Sequence, residues 1–232
     1  MGLSLSVGYL ADVSREDSDA SSSVSGDFER LNRALIAAGC KPHREPAVLD
    51  PSLHFSCDMW GYSGLHHLRR IAAHTALGLP LPDPVAGDAT NDFVLKRYYE
   101  KVTRSPSLMS RLFKSQHGSP LRYQHLIVHS DAEGYYVPQD FPAVIFPDDN
   151  LKIPGGMIGS VIRLRDECRA MSQLLGIPDG LDLESDDVLN AAEDPASGTA
   201  KWQRYGIESF SCIRLMAACD AAVKAGAAIV FC

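Results

Sequence analysis

Apolar and polar positions alternate at the start of the chain, with Leu3, Leu5 and Val7 set between Ser4, Ser6 and Gly8. That period of two marks a half-buried strand, and Tyr9 and Leu10 extend it, so residues 3–10 form the first predicted element. Residues 14–26 are rich in Ser and Asp and read as a solvated loop capping a helix that begins near Asp27. Phe28, Leu31, Leu35 and Ala38 then fall on one face, and Gly39 stops the helix. From Cys40 to Trp60, prolines at 42, 46 and 51 predict irregular chain lying over the core. Ser63 is placed to cap a helix with Leu65, Leu68, Ile71 and Thr75 inward and His67, Arg70 and His74 as a second stripe. A Pro-rich connection over 78–90 leads to a helix at 91–104 bearing Phe93, Leu95, Tyr98 and Tyr99, and 108–114 suggests a shorter helical turn.

The middle of the chain predicts strands at 123–129 and 134–137, able to pair as a hairpin, with 142–146 a further candidate. After Gly155 and Gly156, the positions Met157, Val161, Leu164, Cys168, Met171 and Leu175 recur at spacings of four and three, the clearest helical period in the sequence. Residues 178–200 hold seven acidic side chains and no basic one, which predicts an exposed, mobile segment with no core to offer. A helix from Lys201 to Lys224 buries Phe210, Ile213 and Ala217, and residues 227–231 close the chain as a strand. The fold expected is α/β or α+β: a single domain, residues 1–232, with a small mixed sheet (strands near 3–10, 123–129, 134–137 and 227–231) packed by helices and mobile loops near 14–26, 78–90 and 178–200. Apolar termini are explained if the two terminal strands meet in that sheet.

Composition narrows the function. The 232 residues are 45% hydrophobic and 22% charged, with a net charge of −7, which argues against a nucleic-acid binder because phosphate neutralisation needs a basic face. A basic protein partner fits that charge better. Six scattered cysteines, several at apolar helix positions and none preceded by a signal peptide, point to a reduced, cytoplasmic setting. No apolar run approaches a membrane span. The opening Met1-Gly2 with Ser6 fits the formal myristoylation pattern, though the same letters make a good first strand.

Candidate chemistry concentrates between His125 and Arg165. His129 with Ser130 and Asp131 could supply an imidazole base whose tautomer a carboxylate fixes, or simply cap a turn before Gly134. Tyr135 and Tyr136 point to opposite faces of a strand, so one should be core and one exposed. Cys168 could be a nucleophile, yet it sits at a core position of its helix. Gly61-Tyr62-Ser63-Gly64 is one residue short of a nucleophile elbow and has no strand leading into it. The spacing of His54, Cys57, His66 and His67 matches no common zinc site, and Asp131, Glu133, Asp140, Asp148 and Asp149 lack the rest of a calcium loop, so no metal or other cofactor is expected. Pro154-Gly155-Gly156 running into Ser160 and Arg163 could hold an anion at a helix start or be only a turn.

The segments Met-Gly-Leu-Ser-Leu-Ser-Val-Gly, His-Ser-Asp-x-x-Gly-Tyr-Tyr-Val-Pro and Ile-Pro-Gly-Gly-x-x-Gly-Ser resemble those of a group of uncharacterised bacterial proteins of actinomycetes and pseudomonads. Small acidic character adds an analogy of type to immunity proteins. The function expected is therefore a binding protein, most simply an immunity protein occluding a basic toxin domain, with no part for nucleic acid or membrane. The alternative is a hydrolase using His129 and Asp131 with a Ser or Cys nucleophile. Binding is expected to involve Tyr135, Tyr136, Asp140, Ser160, Arg163, Asp182, Glu184, Asp186 and Asp187, with residues 179–194 acting through long-range charge.

Overall fold

The protein is described by a computed structural model covering residues 3–84, 89–104 and 121–231. It is an α+β fold built on one five-stranded mixed sheet in the order β2-β1-β5-β3-β4. β1 (Ser4–Val7) lies between β2 (Phe55–Asp58) and β5 (Ile229–Phe231) and is antiparallel to both, so the two terminal strands do meet. β3 (Gly134–Val137) pairs antiparallel with β5 and parallel with the edge strand β4 (Ile158–Ser160).

Helices cover both faces, and β3, β4 and β5 are buried at every position, whereas β1 and β2 alternate with Ser and Asp. On one face α1 (Tyr9–Glu16) and α2 (Ser18–Ala37) bring Leu10, Val24, Phe28, Leu31 and Leu35 onto Tyr135, Val137, Ile158, Ala228 and Val230. On the other, α3 (Gly61–Ala76), α4 (Phe93–Arg104), α5 (Gln124–Val128), α6 (Val161–Leu175) and α9 (Gly206–Ala225) pack over Leu5, Val7, Tyr136, Ile229 and Phe231. A third apolar cluster joins α7 (Asp186–Glu193) and α8 (Lys201–Arg204) to α9 through Val188, Ala191, Ala192, Trp202, Phe210 and Ile213.

Several expectations are corrected. The first strand ends at Val7 because Gly8 turns the chain at φ 89° into α1, and Ser14 to Gly26, expected as loop, is helical. The Asp17 carboxylate accepts from the N–H groups of Asp19 and Ala20 and caps α2, while Val24 adds one buried residue a turn before Phe28. Residues 124–128 are a helix, not a strand, so no hairpin forms with β3. Of 142–146 only a bridge between Ile145 and Ile158 remains. The last long helix is interrupted at Tyr205, whose ψ of 47° is not helical, and the Gly206 that follows packs on the backbone of Ala191 so closely that a Cβ there would lie 1.7 Å from its carbonyl oxygen. Phe93, placed on the apolar face of α4, is 75% exposed. Gly2 and the helical turn expected at 108–114 lie outside the described residues.

Candidate binding surface

The central stretch comes together as expected, but as packing. His129 is 2% exposed and lies flat against Tyr136, and Phe231 closes over both rings. Its Nδ1 is 3.1 Å from the Ser130 carbonyl and its Nε2 3.0 Å from the Tyr135 carbonyl, so each nitrogen faces a backbone oxygen and the single N–H of a neutral ring donates to one of them. Burial lowers its pKa to about 4, against the pull of those two carbonyls, and the ring is neutral at pH 7. Enclosed by protein and with both nitrogens turned to backbone, the imidazole meets no cleft a substrate could enter from, which speaks against the catalytic role considered for His129. Asp131 pairs with His66 Nε2 at 2.7 Å instead.

Both tyrosines are buried, correcting the expectation that one would be exposed, because helices cover both faces of β3. Tyr135 donates to Asp27 at 3.2 Å and Tyr136 to the His125 carbonyl at 2.7 Å. Two glycines of the stretch permit close packing here. A Cβ on Gly159 would lie 2.1 Å from the Tyr136 ring, and one on Gly155, which sits at φ 73°, 2.3 Å from the Glu133 carbonyl oxygen. Ser160 is fully buried, gives its hydroxyl to the Gln139 carbonyl at 2.5 Å and caps α6 by accepting from the Arg163 N–H, so no open anion site remains there. Arg163 pairs with Asp140 at 2.5 Å on the surface. Cys168 is buried in the core, and Gly64 of the Gly-Tyr-Ser-Gly stretch brings α3 against Trp60 and Ser211 rather than forming an elbow.

Two side chains from distant parts of the chain hold this region. The Glu167 carboxylate accepts from the N–H groups of His125 (3.3 Å) and Leu126 (2.7 Å), capping α5, and burial raises its pKa to about 8. At the other end Arg69, 2% exposed, donates to the carbonyls of Leu126, His129 and Ser130. These two side chains convert an apolar run that resembles a strand into a capped helical turn.

Residues 178–200 form a built surface. Val188, Ala191 and Ala192 of α7 are buried against α9, and Leu181, Leu183 and Leu189 are partly buried beside them, which corrects the expectation that the segment offers no core. Asp179, Asp182, Glu184, Asp186, Asp187, Glu193 and Asp194 are all exposed. The chain has 29 acidic side chains, so removing these seven leaves 22 elsewhere against 22 Lys and Arg, none of which lies in 178–200. The net charge of −7 therefore equals the charge of this one segment.

Neighbouring cations cancel only one of these charges. Lys201 donates to the Leu174 carbonyl at the end of α6, and Arg214 pairs with Glu184 alone at 2.7 Å. The other six carboxylates have no ion pair among the described residues, whereas Asp12, Asp27, Asp92, Asp131, Asp140, Glu208 and Asp220 each face a cation or an imidazole. Glu193 moreover sits in the last turn of α7, where the helix dipole favours the opposite sign. Asp182, Glu184, Asp186 and Asp187 were expected in binding and lie together on this surface, while Asp179, Glu193 and Asp194 complete it. Sequence reasoning located the segment but missed its framework of Leu181, Leu183, Val188 and Leu189, an apolar signal hidden among the charges.

An α+β chain with a tightly packed centre and a dense run of exposed carboxylates has the character of a binding protein. It belongs to the family described as "Putative DNA-mimic protein", whose match spans residues 1–231. No curated protein and no solved structure matches the chain. The family corrects the expected partner: mimicry of DNA is directed at proteins that bind DNA, so a toxin domain is replaced as the partner and nucleic acid, set aside on net charge, defines the partner class. Among the described residues, no helix is long and apolar enough to cross a membrane.

Proposed function

We propose that the protein acts by presenting residues 179–194 to the basic DNA-binding face of a partner protein, so that its carboxylates take the place of backbone phosphates and DNA is excluded. The observation that carries this reading is that one ordered segment holds seven exposed acidic side chains and no basic one, a charge equal to that of the whole chain, within a chain of this family. A face that binds DNA gains most of its non-specific affinity from neutralising phosphates, and a fixed array of carboxylates draws on the same lysines and arginines. Placing Glu193 against the helix dipole sacrifices a little stability for charge, as binding surfaces often do. We place the protein in the cytosol, a setting supported by free thiols at Cys40, Cys57, Cys168, Cys212 and Cys219.

The test is displacement. Fluorescein-labelled duplex is held by each of a panel of purified DNA-binding proteins (architectural minor-groove binders, helix-turn-helix repressors and single-strand-binding proteins), and the full chain is titrated in while anisotropy is read. Loss of anisotropy with at least one member, weakening steeply as salt rises, is expected. Failure to displace duplex from any member at low salt would overturn the reading.

A further inference from the structure

Beneath the acidic surface lies one buried cation whose placement a stability role does not explain. Arg214 of α9 is 3% exposed, and its guanidinium sits 3.6 Å over the ring of Phe210, which Trp60 in turn meets edge-on at 5.3 Å. Nη2 donates to Glu184 at 2.7 Å, while Nε and Nη1 are buried without a hydrogen-bond partner. Burying a guanidinium with two unsatisfied donors is costly, and an apolar side chain of similar volume there would often be neutral or stabilising. The partner it reaches is not a buried carboxylate but one whose side chain is 62% exposed.

Glu184 stands where the acidic chain turns. The Asp182 carboxylate accepts from the Glu184 N–H at 3.0 Å, Ser185 Oγ donates to the Asp182 carbonyl at 2.8 Å, and α7 begins at Asp186. Holding Glu184 therefore fixes the position of Asp182 on one side and of Asp186 and Asp187 on the other. Six uncompensated carboxylates repel one another, so a loosely held turn would spread them.

We propose that Arg214 is a positioning residue for the acidic surface: it ties Glu184, and with it the turn at 182–185 and the start of α7, to α9 in the single arrangement that a DNA-binding face reads. This rests on the function proposed above. It has a consequence opposite in sign to simple charge: Arg214→Met makes the protein more negative, yet binding weakens, because the array loses its fixed spacing.

The test has two arms on the full chain. In the free protein, hydrogen exchange of amides 182–190 is expected to be about tenfold faster in Arg214→Met and Glu184→Gln, with amides of α3 and α6 unchanged. In the duplex-displacement assay Arg214→Met is expected to need about tenfold more protein, Arg214→Lys to fall between it and the native chain, and a flexible oligolysine probe to bind Arg214→Met no more weakly than the native protein. Glu184→Gln alters a mostly exposed side chain, so the exchange arm stands even if Arg214→Met does not fold. Unchanged exchange at 182–190 in Glu184→Gln and in a folded Arg214→Met, or faster exchange spread evenly over the chain, would overturn the proposal. So would displacement by Arg214→Met equal to or better than native. If exchange responds as expected but the native protein displaces DNA from no partner, the DNA-mimic reading fails and the tether stands.

Discussion

His129 lies against Tyr136 with ring centroids 3.9 Å apart and planes 22° from parallel. The pair fills the space between α5 and β3, and removing the imidazole leaves a cavity and frees the carbonyls it meets. His129→Ala is expected to cost about 2–4 kcal/mol and to lower the melting temperature by roughly 5–15 °C. Displacement of DNA by the folded fraction should be unchanged. A variant with native stability and lost binding would return this residue to a functional site.

The buried titratable groups here oppose each other with pH. His125 and His129 have folded pKa values lowered to about 3 and about 4, so the unfolded chain takes up protons first and both groups reduce stability as pH falls through about 6.5. Glu167, raised to about 8, binds its proton more tightly in the folded state and adds stability as pH falls through the same range. Native stability should therefore be nearly flat between pH 7.5 and 5.5. Glu167→Gln removes the compensating group, and its stability by chemical denaturation should drop by about 2–3 kcal/mol over that interval. Parallel pH profiles for the two proteins would contradict this assignment.

Two glycines separate tight packing from ordinary helix. Gly206→Ala places a Cβ 1.7 Å from the Ala191 carbonyl oxygen, so α7 and α9 must part, at a cost of about 1–3 kcal/mol and with loosening of the acidic surface. Gly26→Ala, inside α2, meets only the end of the Arg30 side chain at 3.5 Å and is expected to stabilise by about 0.5–1 kcal/mol. Denaturant midpoints of the two variants, moving in opposite directions, check both.

Glu193→Gln removes a carboxylate from the unfavourable end of the α7 dipole. Stability should rise by about 0.3–1 kcal/mol while DNA displacement weakens, a split that a purely structural residue would not produce. Loss of stability in this variant would show that Glu193 has a partner within the fold.

What the sequence revealed depended on how locally each element is determined. The period from Val161 to Leu175 was read correctly, although its first position, Met157, is extended and leads into β4, and the meeting of β1 with β5 followed from the apolar termini. Helix α5 was not, because its run of Leu126, Ile127 and Val128 suits a strand and its caps are Glu167, 41 residues from Leu126, and Arg69, 57 residues from it. β2 shows one buried position and β4 is three residues long with a glycine shaped to the Tyr136 ring, so neither carries a period long enough to see. The acidic half of the candidate surface was legible from charge alone. Its anchoring was not, since Arg214 lies 30 residues beyond Glu184 in a helix that reads as ordinary core.

The account stands most directly on where the charge is rather than how much there is. Converting Asp179, Asp182, Asp186, Asp187, Glu193 and Asp194 to their amides, and in a second protein Glu16, Asp19, Glu29, Glu133, Asp148 and Asp149, removes six charges in each case. Displacement of labelled duplex from the same DNA-binding protein, measured across salt, should be lost by about a hundredfold with a flattened salt dependence in the first protein and changed only about twofold in the second. Equal losses in the two proteins, or a greater loss in the second, would contradict a dedicated DNA-mimicking surface at residues 179–194.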